Sequence, residues 1–247
     1  MIVPLKDKRT YVLWLLNIMN HYYSLRDIER MLGIPFQVLW RYVNFITVPE
    51  GKTADKILSK VRDEGIISKL IMKSLMNSTI PKLLRSPGFI KLFSFVVADF
   101  IGRTRINVIF PLSEAAITLA TGVSLTIDAE VCVIGSRVLY DRKGFVATYY
   151  VLSSTKHEVE SMIIPKSCLK EGSSALLVDV ILSHVDIDKI KALTEVLRRF
   201  KVEPIYLATI NACEEVIGSL TALGIRYLVF NSAALNFKTK LIKYPSE

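Results

Sequence analysis

The chain has few cysteines, few histidines and no long uncharged apolar run. Its three cysteines, Cys132, Cys168 and Cys213, are far apart and form no Cys-x-x-Cys pair, and none of its three histidines joins them at metal-ligand spacing. These gaps argue against a zinc site, and no cofactor is expected. The cysteines sit among apolar neighbours, as in Val131-Cys132-Val133. They are expected to be small buried side chains in a reducing compartment. The longest uncharged run, Thr10 to Leu25, contains Asn17, Asn20, His21 and Ser24. It falls short of the roughly 18 apolar residues of a membrane-spanning helix. The first residues also lack a basic segment followed by an apolar stretch and a cleavage site. The expected location is the cytoplasm, with no membrane partner.

What is present is ample apolar material, 51% of 247 residues, enough for one large domain or two small ones. The net charge is +9 and is unevenly spread. Residues 1–100 carry 15 Lys and Arg against 8 Asp and Glu, whereas residues 101–247 carry 17 against 15. The basic excess belongs to the front part and suggests a polyanionic partner there.

That front part reads as helices. Tyr11, Val12, Leu15, Leu16 and Met19 recur at helical spacing over residues 9–20. In residues 24–45, SLRDIERMLGIPFQVLWRYVNF, Ser24 and Asp27 form an acidic capping pattern. Leu25, Ile28, Met31 and Leu32 make one apolar face that Gly33 ends. Pro35 opens a second helix with Val38, Leu39, Tyr42 and Val43 facing inward. Two short helices around a glycine turn predict a helix-turn-helix.

Residues 10–65 resemble the Cro-type domains of bacteriophage repressors, because VNFITVPEGKTADKILSKV, residues 43–61, supplies the same linker, proline and following helix. The pattern departs at Phe45-Ile46, where such domains commonly carry glycine, which leaves a winged variant open. The resemblance implies double-stranded DNA as partner. Gln37, Trp40, Arg41 and Asn44 would lie on or near the exposed face of the second helix, with Gln37, Arg41 and Asn44 addressing base edges or phosphates. Lys52, Lys56 and Lys60, four apart, would contact phosphates. The alternative is a small helical protein-docking domain with solvated polar faces.

From about residue 89 the pattern changes. The segment KLFSFVVADFIGR is helix-like, and strands are predicted at 106–110, 130–134, 176–181, 204–208 and 227–230. Helices over 114–125, 187–200 and 212–223 alternate with them, and residues 138–153 read as a hairpin around Arg142-Lys143-Gly144. This predicts an α/β class with a mostly parallel sheet flanked by helices, a small hairpin, and an all-helical domain in front.

Residues 163–210, IIPKSCLKEGSSALLVDVILSHVDIDKIKALTEVLRRFKVEPIYLATI, resemble the centre of a type I phosphoribosyltransferase, and the order of elements extends the likeness over about residues 89–231. The resemblance implies a ligand-facing strand ending at Asp179, with Ser183 and His184 after it and Ser113 in the loop that would hold diphosphate. Active members carry two adjacent acids at that strand end and a glycine-rich turn whose N–H groups hold a phosphate. Here Asp179 is followed by Val180, the turn offers Leu182, Ser183, His184, Val185 and Asp186, and Glu114 stands in the diphosphate loop. Leu182 and Val185 are expected to obstruct an anion nest, and Ser183 with Asp186 can instead cap the next helix. His21 and His157 receive no role, and the pairs Glu158/Glu160 and Glu214/Glu215 are expected to be solvated.

The expected organisation is a helix-turn-helix domain over 1–70, a helical linker over 71–88, and a phosphoribosyltransferase-like domain over 89–247. The combination, similar in concept to bacterial purine repressors, predicts a homodimeric DNA-binding transcription regulator. Its second domain would not be an enzyme and would dimerise, or sense a nucleotide or phosphoribosyl diphosphate as effector. An active phosphoribosyltransferase of nucleotide salvage is the alternative.

Overall fold

The computed structural model describes residues 7–76, 78–135, 143–153 and 158–231, with 151–153 and 158 described by backbone alone. The chain divides into two compact units, Met1–Arg103 with Asn231–Glu247, and Thr104–Phe230. In the first lie helices α1 (Lys8–Met19), α2 (Leu25–Leu32), α3 (Phe36–Val43), α4 (Gly51–Asp63), α5 (Ile66–Met76), α6 (Ile80–Leu84) and α7 (Pro87–Ile101). Among the described residues no strand occurs there, so the wing left open by the sequence is not formed by them.

Local chemistry sets the limits of α2. Asp27 N–H donates to Ser24 Oγ, and the Asp27 carboxylate accepts from the Ser24 N–H, both at 3.2 Å. This closes the capping box that satisfies two helix-end donors. Gly33 ends the helix at φ 65°, and its N–H donates to the Glu29 carbonyl at 2.7 Å. The Glu29 side chain then accepts from the Phe36 N–H at 3.0 Å, so one residue serves the end of α2 and the start of α3.

The end of α3 explains the departure at Phe45. Phe45 has φ 56°, the left-handed region that favours glycine. Its N–H donates to the Tyr42 carbonyl at 3.0 Å, and the Ile46 N–H donates to the Arg41 carbonyl at 2.9 Å. These are the paired bonds of a Schellman helix end, held here by a bulky residue at a conformational cost of about 1 kcal/mol.

Helix α7, which the sequence grouped with the C-terminal domain, belongs to the first unit. Phe95 packs on Tyr11 of α1 with ring centroids 4.6 Å apart, and the Tyr11 hydroxyl donates to Asp99 at 3.2 Å. Apolar side chains surround most of α7, with Phe89, Leu92, Phe93, Val96 and Val97 all buried. Such a helix seeks burial without its sequence naming the partner.

The second unit is built on a five-stranded parallel sheet. Its strands are β1 (Val108–Pro111), β2 (Glu130–Val131), β5 (Ser174–Val178), β7 (Glu203–Thr209) and β9 (Arg226–Val229), in the order β2-β1-β5-β7-β9. Between β2 and β5 lies the antiparallel pair β3 (Phe145–Ser153) and β4 (Glu158–Pro165). Beyond β5 and β7 the short strands β6 (Ile181–Leu182) and β8 (Asn211–Ala212) pair in parallel. Helices α8 (Ile117–Ile127), α9 (Ile187–Arg199) and α10 (Glu214–Ala222) complete the unit.

One core packs Phe110, Leu177 and Leu207 of the sheet with Ile190, Leu193 and Leu197 of α9, Leu220 of α10, and Tyr150, Met162 and Ile164 of the hairpin. Each such aliphatic side chain contributes about 1.5–3 kcal/mol on burial.

Three sequence expectations are revised in this unit. The hairpin is not centred on Arg142-Lys143-Gly144. Residues 145–153 pair with 158–165 in the register Tyr150↔Glu160, and residues 138–142 lie outside the described residues. The strand expected over 176–181 is interrupted at Asp179 and Val180 and resumes as β6. Cys132 and Cys168, expected as separate apolar fillers, are joined by a disulfide with Cα atoms 5.9 Å apart, while Cys213 is not bonded. Residue spacing could not show this, because 36 positions separate the pair and the intervening strands bring its ends together.

Candidate functional site

Crossovers in a doubly wound sheet leave a crevice where the strand order reverses, beyond the carboxyl ends of two neighbouring strands. In this sheet the chain goes from β1 outward to β2, then returns to β5 on the other side of β1 and continues outward through β7 and β9. The reversal therefore lies between β1 and β5. Ser113 follows β1 and Asp179 follows β5, in the register Pro111↔Val178.

These two residues meet. Ser113 Oγ donates to Asp179 Oδ1 at 2.5 Å, and the Val180 N–H donates to the same oxygen at 2.7 Å. Asp179 is only 4% exposed. Burial raises its pKa above the ordinary carboxylate value. The bonds from Ser113 and Val180 and the charge of Lys189 oppose that rise, and the charge of Asp186 adds to it.

The segment after Asp179 differs from the turn read in the sequence. Leu182 is 1% exposed, pairs through β6 with Ala212, and belongs to the core, so it does not crowd a turn. A short 3-10 helix over 184–186 then leads into α9. The Asp186 carboxylate accepts from the Ser183 N–H at 2.8 Å and from Ser183 Oγ at 2.9 Å. His184 is exposed. Its charge helps hold the Glu215 carboxyl low, after a larger contribution from a hydrogen bond with Cys213.

Sequence reasoning missed the hairpin's contribution. Tyr150 is buried, and its hydroxyl donates to Glu160 at 2.5 Å across the β3–β4 pair. Lys189 of α9 stands with its ammonium 5.8 Å from the centre of the Tyr150 ring. Only the alternation along β3 hinted that Tyr150 points inward.

Ser113 and Asp179 are thus brought together, Ser183 turns to Asp186, and His184 stays at the surface. His157 lies outside the described residues. Among the described residues no group of three or more His, Cys, Asp or Glu gathers to hold a metal ion. A cleft of about 240 Å³ lies at the opposite, amino-terminal side of the sheet, beside Asn107 and Ser173. Its charges include Lys170 and Glu130, already paired at 2.7 Å.

In the first unit, Gln37, Trp40 and Arg41 are exposed on α3. Asn44 is exposed too, but its amide donates to the Trp40 carbonyl at 2.8 Å. Lys52 and Lys56 are exposed on α4, whereas Lys60 is half-buried over the Gly33 turn. Its ammonium lies 3.3 Å from where a Cβ on Gly33 would sit.

Comparison with solved structures identifies the architecture. The chain is similar to adenine phosphoribosyltransferase from Thermoanaerobacter pseudethanolicus, at 12% identity over 62% of this chain and 86% of that one, with a TM-score of 0.53. The enzyme from Leishmania donovani aligns at 10% identity over 73% and 86%, with a TM-score of 0.55. The fold is that of a type I phosphoribosyltransferase. Adenine phosphoribosyltransferase from Saccharomyces cerevisiae, complexed with an imino-altritol bisphosphate and adenine, aligns at 13% identity over 61% and 84%, with a TM-score of 0.50. No protein-family model and no curated protein matches the chain.

The phosphoribosyltransferase neighbours overturn the expectation that the chain is not an enzyme, since the structures that share its fold are of enzymes. That expectation took Leu182 as an obstruction in the turn, and Leu182 instead faces the core. Among the described residues no helix is long and apolar enough to cross a membrane.

Proposed function

We propose that residues 104–230 form a phosphoribosyltransferase of the nucleotide-salvage type. It would transfer the phosphoribosyl group of a diphosphate donor to a ring nitrogen of a nucleobase. The new bond forms between that nitrogen and C1 of the ribose, and the bond from C1 to diphosphate breaks. The observation that carries this reading is the Ser113–Asp179 hydrogen bond across the point where strand order reverses. A buried carboxylate there is an acceptor for ribose hydroxyls, and Ser113 can exchange its bond to Asp179 for one to the ligand. The solved structures that it resembles are of adenine phosphoribosyltransferases, which makes adenine the first base to try.

The test is diphosphate release from phosphoribosyl diphosphate in magnesium buffer with a panel of nucleobases. Release dependent on one base is expected, and Asp179→Asn should lower kcat/KM by about 100-fold, as for loss of a preorganised polar contact. Because burial raises the Asp179 pKa, activity that needs the carboxylate should fall on acidification at a higher pH than for an ordinary aspartate. Release no faster than the protein-free background with every base would overturn the proposal.

A second reading concerns the first unit, where the basic excess and the exposed Gln37, Trp40 and Arg41 of α3 support contact with duplex DNA. It is compatible with the first, since it uses other residues. Salt-dependent titration with the chain's own upstream DNA against random duplex tests it, and equal affinity for both would remove sequence recognition from the proposal.

A further inference from the structure

The exposed face of α3 carries two kinds of side chain in neighbouring stripes. Phe36 and Trp40 are four positions apart, as are Gln37 and Arg41, and all four are exposed. Residues four apart lie one above the other on a helix, so an aromatic stripe runs beside a polar one. Leu39, Tyr42 and Val43 supply the buried face of α3, so packing within the unit does not account for either exposed ring. Both ends of the aromatic stripe are fixed through the backbone. The Phe36 N–H donates to the Glu29 carboxylate at 3.0 Å, and the Trp40 carbonyl accepts from the Asn44 amide at 2.8 Å.

Charge indicates what such a stripe meets. Arg41 on α3 and Lys52 and Lys56 on α4 are exposed, and among the described residues none of the three is paired with a carboxylate. Together with the basic excess of residues 1–100, this suits a polyanion. In the major groove of duplex DNA the thymine C5-methyl is the apolar group among hydrogen-bond donors and acceptors. Aromatic rings facing that groove are matched by thymines and meet only polar edges at the other bases. The spacing agrees. Four residues advance about 6 Å along a helix, and two base-pair steps of about 3.4 Å each cover nearly the same length.

We propose that Phe36 and Trp40 are specificity-determining contacts to thymine methyl groups, so that the first unit selects duplexes rich in A·T pairs through the major groove. This rests on the duplex-DNA reading of the first unit and adds which base its aromatic stripe prefers. Gln37 and Arg41, on the adjoining stripe, supply the polar contacts to base edges or phosphates.

The test titrates the full chain, by fluorescence anisotropy at low salt, against a short duplex of A·T pairs and against the same duplex with deoxyuridine in place of thymidine. Uracil pairs with adenine as thymine does and lacks only the major-groove methyl. The thymine duplex is expected to bind about tenfold more tightly, as for two methyl groups removed from water. Phe36→Ala and Trp40→Ala, each checked for native thermal unfolding, should each lower that ratio to about threefold, as for one methyl. The double variant should bind both duplexes equally. Arg41→Ala should weaken binding to both and keep the ratio. Equal wild-type affinity for the two duplexes would overturn the assignment and leave duplex contact standing. A folded double variant with the wild-type ratio would overturn it as well. Absence of binding to either duplex would remove the assignment together with the DNA reading.

Discussion

Asp99 shows how one carboxyl sets the acid response of the helical unit. It lies on α7 with the Tyr11 hydroxyl as its donor, and burial pushes its pKa up to about 6 despite that bond. The folded state therefore holds a proton that the unfolded chain, titrating near 3.8, releases first. Stability from this group is fully present below the unfolded value and is lost as pH rises through the folded one. Between about pH 4 and 6 the loss should be on the order of 2 kcal/mol. Asp99→Asn keeps the acceptor for Tyr11 and cannot ionise, so the part of the pH dependence due to Asp99 should vanish over that window, and the variant should be more stable than wild type at pH 7 in urea titrations. Single residues were otherwise unequally legible. Ser113 and Asp179 could each be named from the sequence, but their bond joins positions 66 apart. Lys189 reads as one more charge on a solvated helix face until the hairpin is laid beside it.

At the level of elements, local rules worked where the deciding contacts were local. The Ser24–Asp27 box and the Gly33 stop need only four or five consecutive residues. The left-handed residue after α3 was hidden because phenylalanine gives no sign of the backbone it adopts. The hairpin register was misplaced because Lys143-Gly144 resembles a turn, whereas the ladder that forms depends on pairing with Ile163 and Ile164 further along. The end of β5 was drawn too far because an apolar run continues through the break at Asp179. For α3 the nucleic-acid proposal makes a sharp expectation. Arg41→Ala should weaken duplex binding by about 1–3 kcal/mol and reduce its salt dependence, while an exchange at Lys191 in the other unit should do neither. Phe36 and Trp40, 42% and 48% exposed on that helix, place apolar area beside the cation, so Trp40→Ala is a useful companion in the same fluorescence anisotropy series.

For the molecule as a whole, alternation of strands and helices was enough to foretell the parallel sheet, since that pattern has few topological solutions. It did not foretell where α7 packs, because an apolar helix advertises burial and not its partner. Nor did it foretell the cross-link between the end of the β2 segment and the end of the hairpin. In the chain-entropy picture a bridge across 36 positions stabilises by about 3–4 kcal/mol. Cys132→Ser should lower the unfolding free energy of the oxidised protein by about that amount. The same substitution should have little effect once wild type is reduced, as read from denaturant midpoints with and without dithiothreitol.

The bridge also makes the chain between Cys132 and Cys168 a closed ring that contains both hairpin strands. A single backbone cleavage inside that ring leaves one covalent molecule, with both fragments still tethered to the sheet.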